Sequence, residues 1–155
     1  MTMDTANFSA FKVAEIEVTY KNKVNPSDRP KITRSQDGYN LLKSVWSDKI
    51  EYVEEFCVVL LNRANKVLGI SRISEGGLSS CIVDPRRVFQ CALKANASSI
   101  ILAHNHPSGQ TQPSEADIQI TKKIKTAGDY LEITVVDHII VTPYSYYSFA
   151  DEGIL

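Results

Sequence analysis

The residues with the clearest capacity for chemistry are His104 and His106, separated only by Asn105, and Asp117 further along the chain. The histidines close the apolar run Ser98-Ser99-Ile100-Ile101-Leu102-Ala103, which reads as a buried strand. Strand side chains alternate between faces, so His104 and His106 project to one side and Asn105 to the other. Two imidazoles on one face can share an ion. Asp117 stands three residues after Ser114, a predicted helix start, near enough to bring a carboxylate to that ion. Three protein ligands with the fourth position left to water is the pattern of a catalytic zinc site rather than a structural one.

The same residues also make an ordinary helix opening, with Ser114 as N-cap and Asp117 as the acidic partner of a capping box. The position of Asp117 argues for more. The helix after Ser114 has its apolar stripe at Ile120, Ile124 and Ala127, and Asp117 lies on that stripe. An unpaired charge is costly there, and a metal would satisfy it. Two of the three histidines of the chain are in this short stretch.

His104-x-His106 followed by Ser114 and Asp117 matches the JAMM (MPN+/JAB) metalloprotease signature in spacing and identity. The flanking text is more specific. Ala103-His104-Asn105-His106-Pro107-Ser108-Gly109, Pro113-Ser114, Val136-Asp137-His138-Ile139-Ile140 and Ser148-Phe149-Ala150 resemble the RadC branch of that superfamily. The resemblance runs from about Ile32 to Leu155, and it leads us to expect a short form without the N-terminal helix-hairpin-helix segment of longer members. It implies Zn2+ held by His104, His106 and Asp117. It also implies an α+β fold of cytidine-deaminase-like, JAMM-type α-β-α arrangement, a mixed β-sheet flanked by helices.

Sites of this family also use a glutamate from an earlier strand. Glu54 and Glu55 both open the run Phe56-Cys57-Val58-Val59-Leu60-Leu61. Period two puts them on opposite faces, but the run is apolar on both, so periodicity cannot choose. RadC-like sequences read Glu-x-Phe here, and this matches Glu54. The implied chemistry is metal-assisted hydrolysis, in which zinc lowers the pKa of water from 15.7 toward about 7. Glu54 is then the general base and Ser114 the donor to the developing oxyanion, an interaction worth roughly 3 kcal/mol when preorganised. Ser114 can accept from a backbone N–H and donate its hydroxyl together, so capping and catalysis are compatible.

Other chemistries fit less well. Cys57, Cys81 and Cys91 are scattered singly, without the paired spacing of a structural zinc site. There is no Gly-x-Ser-x-Gly elbow for a serine hydrolase. Asp137 and His138, inside the apolar run from Ile133 to Val141, read as a buried hydrogen-bonded pair or as support for the ligands rather than as ligands.

The elements that must position these groups follow from pattern. Ala14, Ile16, Val18 and Tyr20 alternate with Glu15, Glu17 and Thr19, which predicts a half-exposed strand. Ser35 is expected to cap a helix with Tyr39, Leu42 and Trp46 on one face. A hairpin is expected from strands near 54–62 and 66–73 around Asn62-Arg63-Ala64-Asn65, then a strand near 78–83. Asp84 and Pro85 open a helix with its stripe at Val88, Cys91, Ala92 and Ala95. After the strand to Ala103, a helix is expected from Ser114 to Ala127, stopped by Gly128. Strands over Leu131–Val141 and near Tyr144–Phe149 complete the sheet.

The 155 residues, 43% of them hydrophobic, suffice for one core. Residues 1–31 read as an N-terminal strand and basic linker, and 32–155 as the RadC-like JAMM/MPN domain. Net charge is −1, so no global basic field draws nucleic acid or an acidic membrane. No apolar run has the length of a transmembrane helix, and the N-terminus lacks a signal-peptide core. With three unpaired cysteines, this leads us to expect a cytoplasmic protein. The expected function is a zinc-dependent metallopeptidase or isopeptidase acting on a peptide or isopeptide-linked protein substrate. The alternative is a DNA-repair or DNA-processing accessory protein of the RadC family. Its support is Lys21, Lys23, Arg29, Lys31 and Arg34 in the linker and Lys122, Lys123 and Lys125 on a helix. The sequence leaves a homo-oligomer open.

Overall fold

A computed structural model describes residues 10–76 and 81–155. Three helices, α1 (Ser35–Val45), α2 (Pro85–Lys94) and α3 (Glu115–Leu131), flank a sheet of five strands. The strands are β1 (Glu55–Leu61), β2 (Val67–Glu75), β3 (Ser99–Asn105), β4 (Thr134–Val141) and β5 (Tyr146–Ser148). They lie in the order β2-β1-β3-β4-β5. β1 runs antiparallel to both β2 and β3, β3 and β4 are parallel, and β5 returns antiparallel to β4. The fold is α+β with a mixed sheet.

Every residue of β1 and β3 is buried, as expected of strands covered on both faces. One face carries Phe56, Val58, Leu60, Ile100 and Leu102, packed against Val88, Phe89 and Ala92 of α2 and Ile124 of α3. The other carries Val59, Leu61, Ile101 and Ala103, packed against Tyr39 and Leu42 of α1. Each fully buried aliphatic side chain in these layers contributes about 1.5–3 kcal/mol. The two layers also separate the adjacent glutamates: Glu54 precedes Phe56 by two residues, and Glu55 precedes Cys57 by two.

The predicted hairpin forms, with Asn62 Oδ1 accepting from the backbone of Ala64 and Lys66 and with Asn65 at φ +58. Asp84 caps α2 through Arg86 N, with Pro85 in its first turn. Other elements depart from the sequence pattern. Residues 14–20 form no strand: Ile16 and Val18 are exposed, and among the described residues no neighbouring strand supplies their backbone with partners. Ser35 does not cap α1 but is its first residue, and the end is closed by the Asp37 carboxylate, which accepts from Thr33 N and Arg34 N. Of the strand expected near 78–83, residues 78–80 lie outside the described residues, and 81–83 are irregular.

Gly128 does not stop α3, and Leu131, expected to open the following strand, closes this helix instead. The helix runs on to Leu131 and ends where Glu132 turns left-handed at φ +56, with Ile133 N bonding Gly128 O at 2.9 Å. A Cβ at Gly128 would lie 2.4 Å from the Ile133 carbonyl oxygen. Glycine is needed there for close approach rather than for termination.

Candidate metal centre

The C-terminal end of β3 meets the N-terminal end of α3 beside the point where antiparallel pairing gives way to parallel. His104 closes the strand on the α2/α3 face, paired to Phe56, and His106 follows one step beyond β3 on the same side. Asp117 enters from the first turn of α3. His104 Nε2 and His106 Nε2 are 3.0 Å apart, and each lies 3.3 Å from an Asp117 carboxylate oxygen. Three donors around a tetrahedral zinc, at about 2.0–2.1 Å from it, must stand about 3.3 Å from one another. The donor set and its spacing fit zinc.

Exposure is graded across the cluster, with side-chain values of 1% for His104, 13% for Asp117 and 16% for His106. The site is therefore sealed on the sheet side and open on the other. The opening is a cleft of about 720 Å3 whose lining includes Glu54, Phe56, Val83, Ser114 and Ile120 besides the three candidate ligands. Among the described residues that line it there is no lysine or arginine.

Each ring is oriented from behind. His106 Nδ1 lies 2.8 Å from the Gln110 carbonyl, which can only accept, so this nitrogen donates and leaves Nε2 toward the cluster. The turn that brings Gln110 round is made by Gly109, at φ +81, whose N–H donates to His106 O. Ser114 and Asp117 do form the capping box: Asp117 N donates to Ser114 Oγ at 3.1 Å, and Ser114 N donates to Asp117 Oδ2 at 2.8 Å. The capping and metal readings therefore converge on one carboxylate. Ser114 Oγ keeps its own proton free toward the cleft it lines.

Burial would raise the Asp117 carboxyl, but the His104 and His106 rings, when protonated, outweigh it and hold the group well below the usual range. Burial would lower His106, but the Asp117 carboxylate and the Gln110 carbonyl raise it overall. Glu54 is half-buried, and desolvation raises its carboxyl above the ordinary value despite the nearby imidazoles. Such a carboxylate is a better base than one in water.

Glu55 faces away. Its carboxylate is bound by Arg72 Nη1 at 2.8 Å and Ser47 Oγ at 2.6 Å, in the layer opposite the cleft. Asn105, also on that side, ties this region to β3. Its Oδ1 accepts from Glu55 N at 2.7 Å, and its Nδ2 donates to the Ile50 and Val53 carbonyls at 2.8 Å. A Gly76 N–H donates to Glu54 O. Glu54 is thus held through its backbone on two sides.

Two buried residues stand behind the cluster: His138, which the sequence offered as support for the ligands or as a partner of Asp137, and Thr121, which escapes a reading of local spacing. Thr121, one turn after Asp117, and His138, on β4, touch each other and reach His104 from behind. Burial pushes His138 well below the ordinary histidine value. Asp137 does not pair with the His138 ring. It accepts from Ser148 Oγ, Ala150 N and His138 N, and so ties β4 to β5.

The model of the RadC-like JAB domain matches residues 32–154. The chain is 48% identical over 124 residues to a UPF0758 protein of Flavobacterium johnsoniae, covering 80% of this chain and 53% of that one. It is 40% identical over 156 residues to a UPF0758 protein of Desulfitobacterium hafniense, covering 99% and 66% respectively. The chain thus spans from about half to two thirds of the length of these curated relatives. Together the matched residues include every side chain of the cluster, and the chain belongs to the RadC-like JAB domain family.

Proposed function

We propose that this protein is a zinc-dependent metallohydrolase that cleaves an amide or isopeptide bond in a peptide or protein substrate. The observation that carries this reading is the convergence of His104, His106 and Asp117 at zinc-ligand spacing in a cleft that Glu54 also lines. His104, His106 and Asp117 would hold the metal. When bound, zinc supplies Lewis acidity, making water acidic enough to ionise near pH 7 and polarising a carbonyl.

The chain's own residues account for the rest. Glu54 accepts a proton from the attacking water and returns it to the leaving amine, a task suited to a half-buried carboxylate. Ser114 donates its hydroxyl to the oxygen on which negative charge develops. Phe56, Val83 and Ile120 give the cleft apolar walls that limit access of bulk water. The described lining holds no lysine or arginine, so a phosphodiester would find no side-chain cation beside the metal, which favours a neutral amide.

The test is a peptide- and isopeptide-library cleavage screen on zinc-loaded protein, repeated with Glu54→Gln. Cleavage that requires zinc and disappears in the variant supports the reading. Zinc-loaded protein that cleaves nucleic acid and no amide overturns it.

A further inference from the structure

Behind His104 runs a chain of three short contacts. Thr121 Oγ1 lies 2.6 Å from the Asp117 carbonyl oxygen and 2.6 Å from His138 Nδ1. His138 Nε2 lies 2.7 Å from His104 Nδ1. All four groups are enclosed by α3, β3 and β4, and the His138 ring is stacked on Phe149 at 4.6 Å with Phe56 edge-on at 5.6 Å. Beyond Thr121 and His104, no polar group among the described residues hydrogen-bonds to the His138 ring.

Counting protons along this chain fixes their direction. A carbonyl has none to give, and two oxygens at 2.6 Å with no proton between them repel. The single hydroxyl proton of Thr121 therefore lies toward Asp117 O. Thr121 can then only accept from His138, so His138 Nδ1 carries the N–H. The neutral ring has a bare Nε2, which accepts from His104 Nδ1. His104 is left with its Nε2 lone pair facing His106 and Asp117.

We propose that Thr121 and His138 are positioning residues that set the tautomer of His104 and so present its Nε2 to the metal. The inference rests on the zinc reading of this site and adds the source of its ligand geometry. Asp117 then serves the centre twice, offering its carboxylate in front and its main-chain carbonyl as the end of the relay behind. His106 needs no such relay because the Gln110 carbonyl is within direct reach.

The test compares Thr121→Val, Thr121→Ser, His138→Leu and His138→Gln, with folding checked by circular dichroism. Zinc affinity is measured by competition with a chromophoric chelator. Loss of an outer hydrogen-bond partner costs about 10–100-fold in metal affinity, expected for Thr121→Val and His138→Leu. Thr121→Ser keeps the hydroxyl, and His138→Gln can place an amide oxygen near the Nε2 position, so both should recover most of it. A steric role alone would not separate valine from serine in this way.

The second readout is the two-bond nitrogen spectrum of histidine-labelled, metal-free wild-type protein, which reports each tautomer. His104 and His138 should both carry the proton on Nδ1. A bare Nδ1 on His104 overturns the proposal, as does a folded Thr121→Val protein that binds zinc like the wild type. Wild-type protein that binds no zinc would sink the zinc reading itself, while its tautomer spectrum still decides the relay. If a variant does not fold, the wild-type spectrum decides alone.

Discussion

Replacing His104 by alanine should abolish stoichiometric zinc while leaving the chain folded, because the two apolar layers are built without it. Elemental analysis checks this, and full zinc occupancy in the variant would reject the ligand set. Asp117→Ala should lose zinc and also about 1 kcal/mol of stability, since the same carboxylate closes the capping box. The adjacent glutamates should separate cleanly. Glu54→Gln is expected to retain zinc and lose hydrolysis. Glu55→Gln should leave zinc untouched and cost about 1–2 kcal/mol in a urea melt, through its weakened bonds to Arg72 and Ser47. The candidate metal cluster was legible in sequence because its parts obey local rules, strand alternation for the histidines and the first helical turn for Asp117. His138 was legible as either support for the ligands or a partner of Asp137, whereas Thr121 was not legible at all. Their contact depends on β4 lying parallel beside β3, which no local spacing encodes.

The elements explain which expectations failed. Alternation over 14–20 has the period of a strand, but a strand needs a neighbour to satisfy its backbone, and the sheet offers it none. Gly128 carries a stop signal, yet the sequence could not show that the Ile133 carbonyl turns back onto it. Gly128→Ala should therefore destabilise by about 1–3 kcal/mol through overpacking, although alanine is the better helix former. Chemical denaturation checks the sign, and a stabilised variant would mean that the chain after α3 yields easily. The β1 and β3 runs were legible as strands because full burial leaves long apolar stretches. For the same reason the faces of β1 could not be told apart until the helices were in place.

At the scale of the whole molecule, Cys57 reports on the integrity of the sandwich. Burial pushes its thiol up from 9.0 to about 11. A thiol that holds its proton more tightly when folded contributes stability below the unfolded value and loses it as pH rises through the folded one. Unfolding should therefore become easier between pH 9 and about 11, and a Cys57→Ala protein should show a shallower slope, with the raised Cys81 and Tyr39 keeping their share. Among the described residues no helix is long and apolar enough to cross a membrane. The three candidate zinc ligands all fall between His104 and Asp117, so the denatured chain can bring them to one ion by closing a single short loop. An ion that also binds the unfolded chain stabilises the fold by less than its native affinity implies. At a thousandfold excess over the dissociation constant, the shift in unfolding free energy should fall short of the ideal value of about 4.1 kcal/mol. A shift that reaches this ceiling would show that the unfolded segment has no hold on zinc. A shortfall would mean that the metal can be captured before the sheet assembles, with Glu54 arriving only when β1 docks against β3.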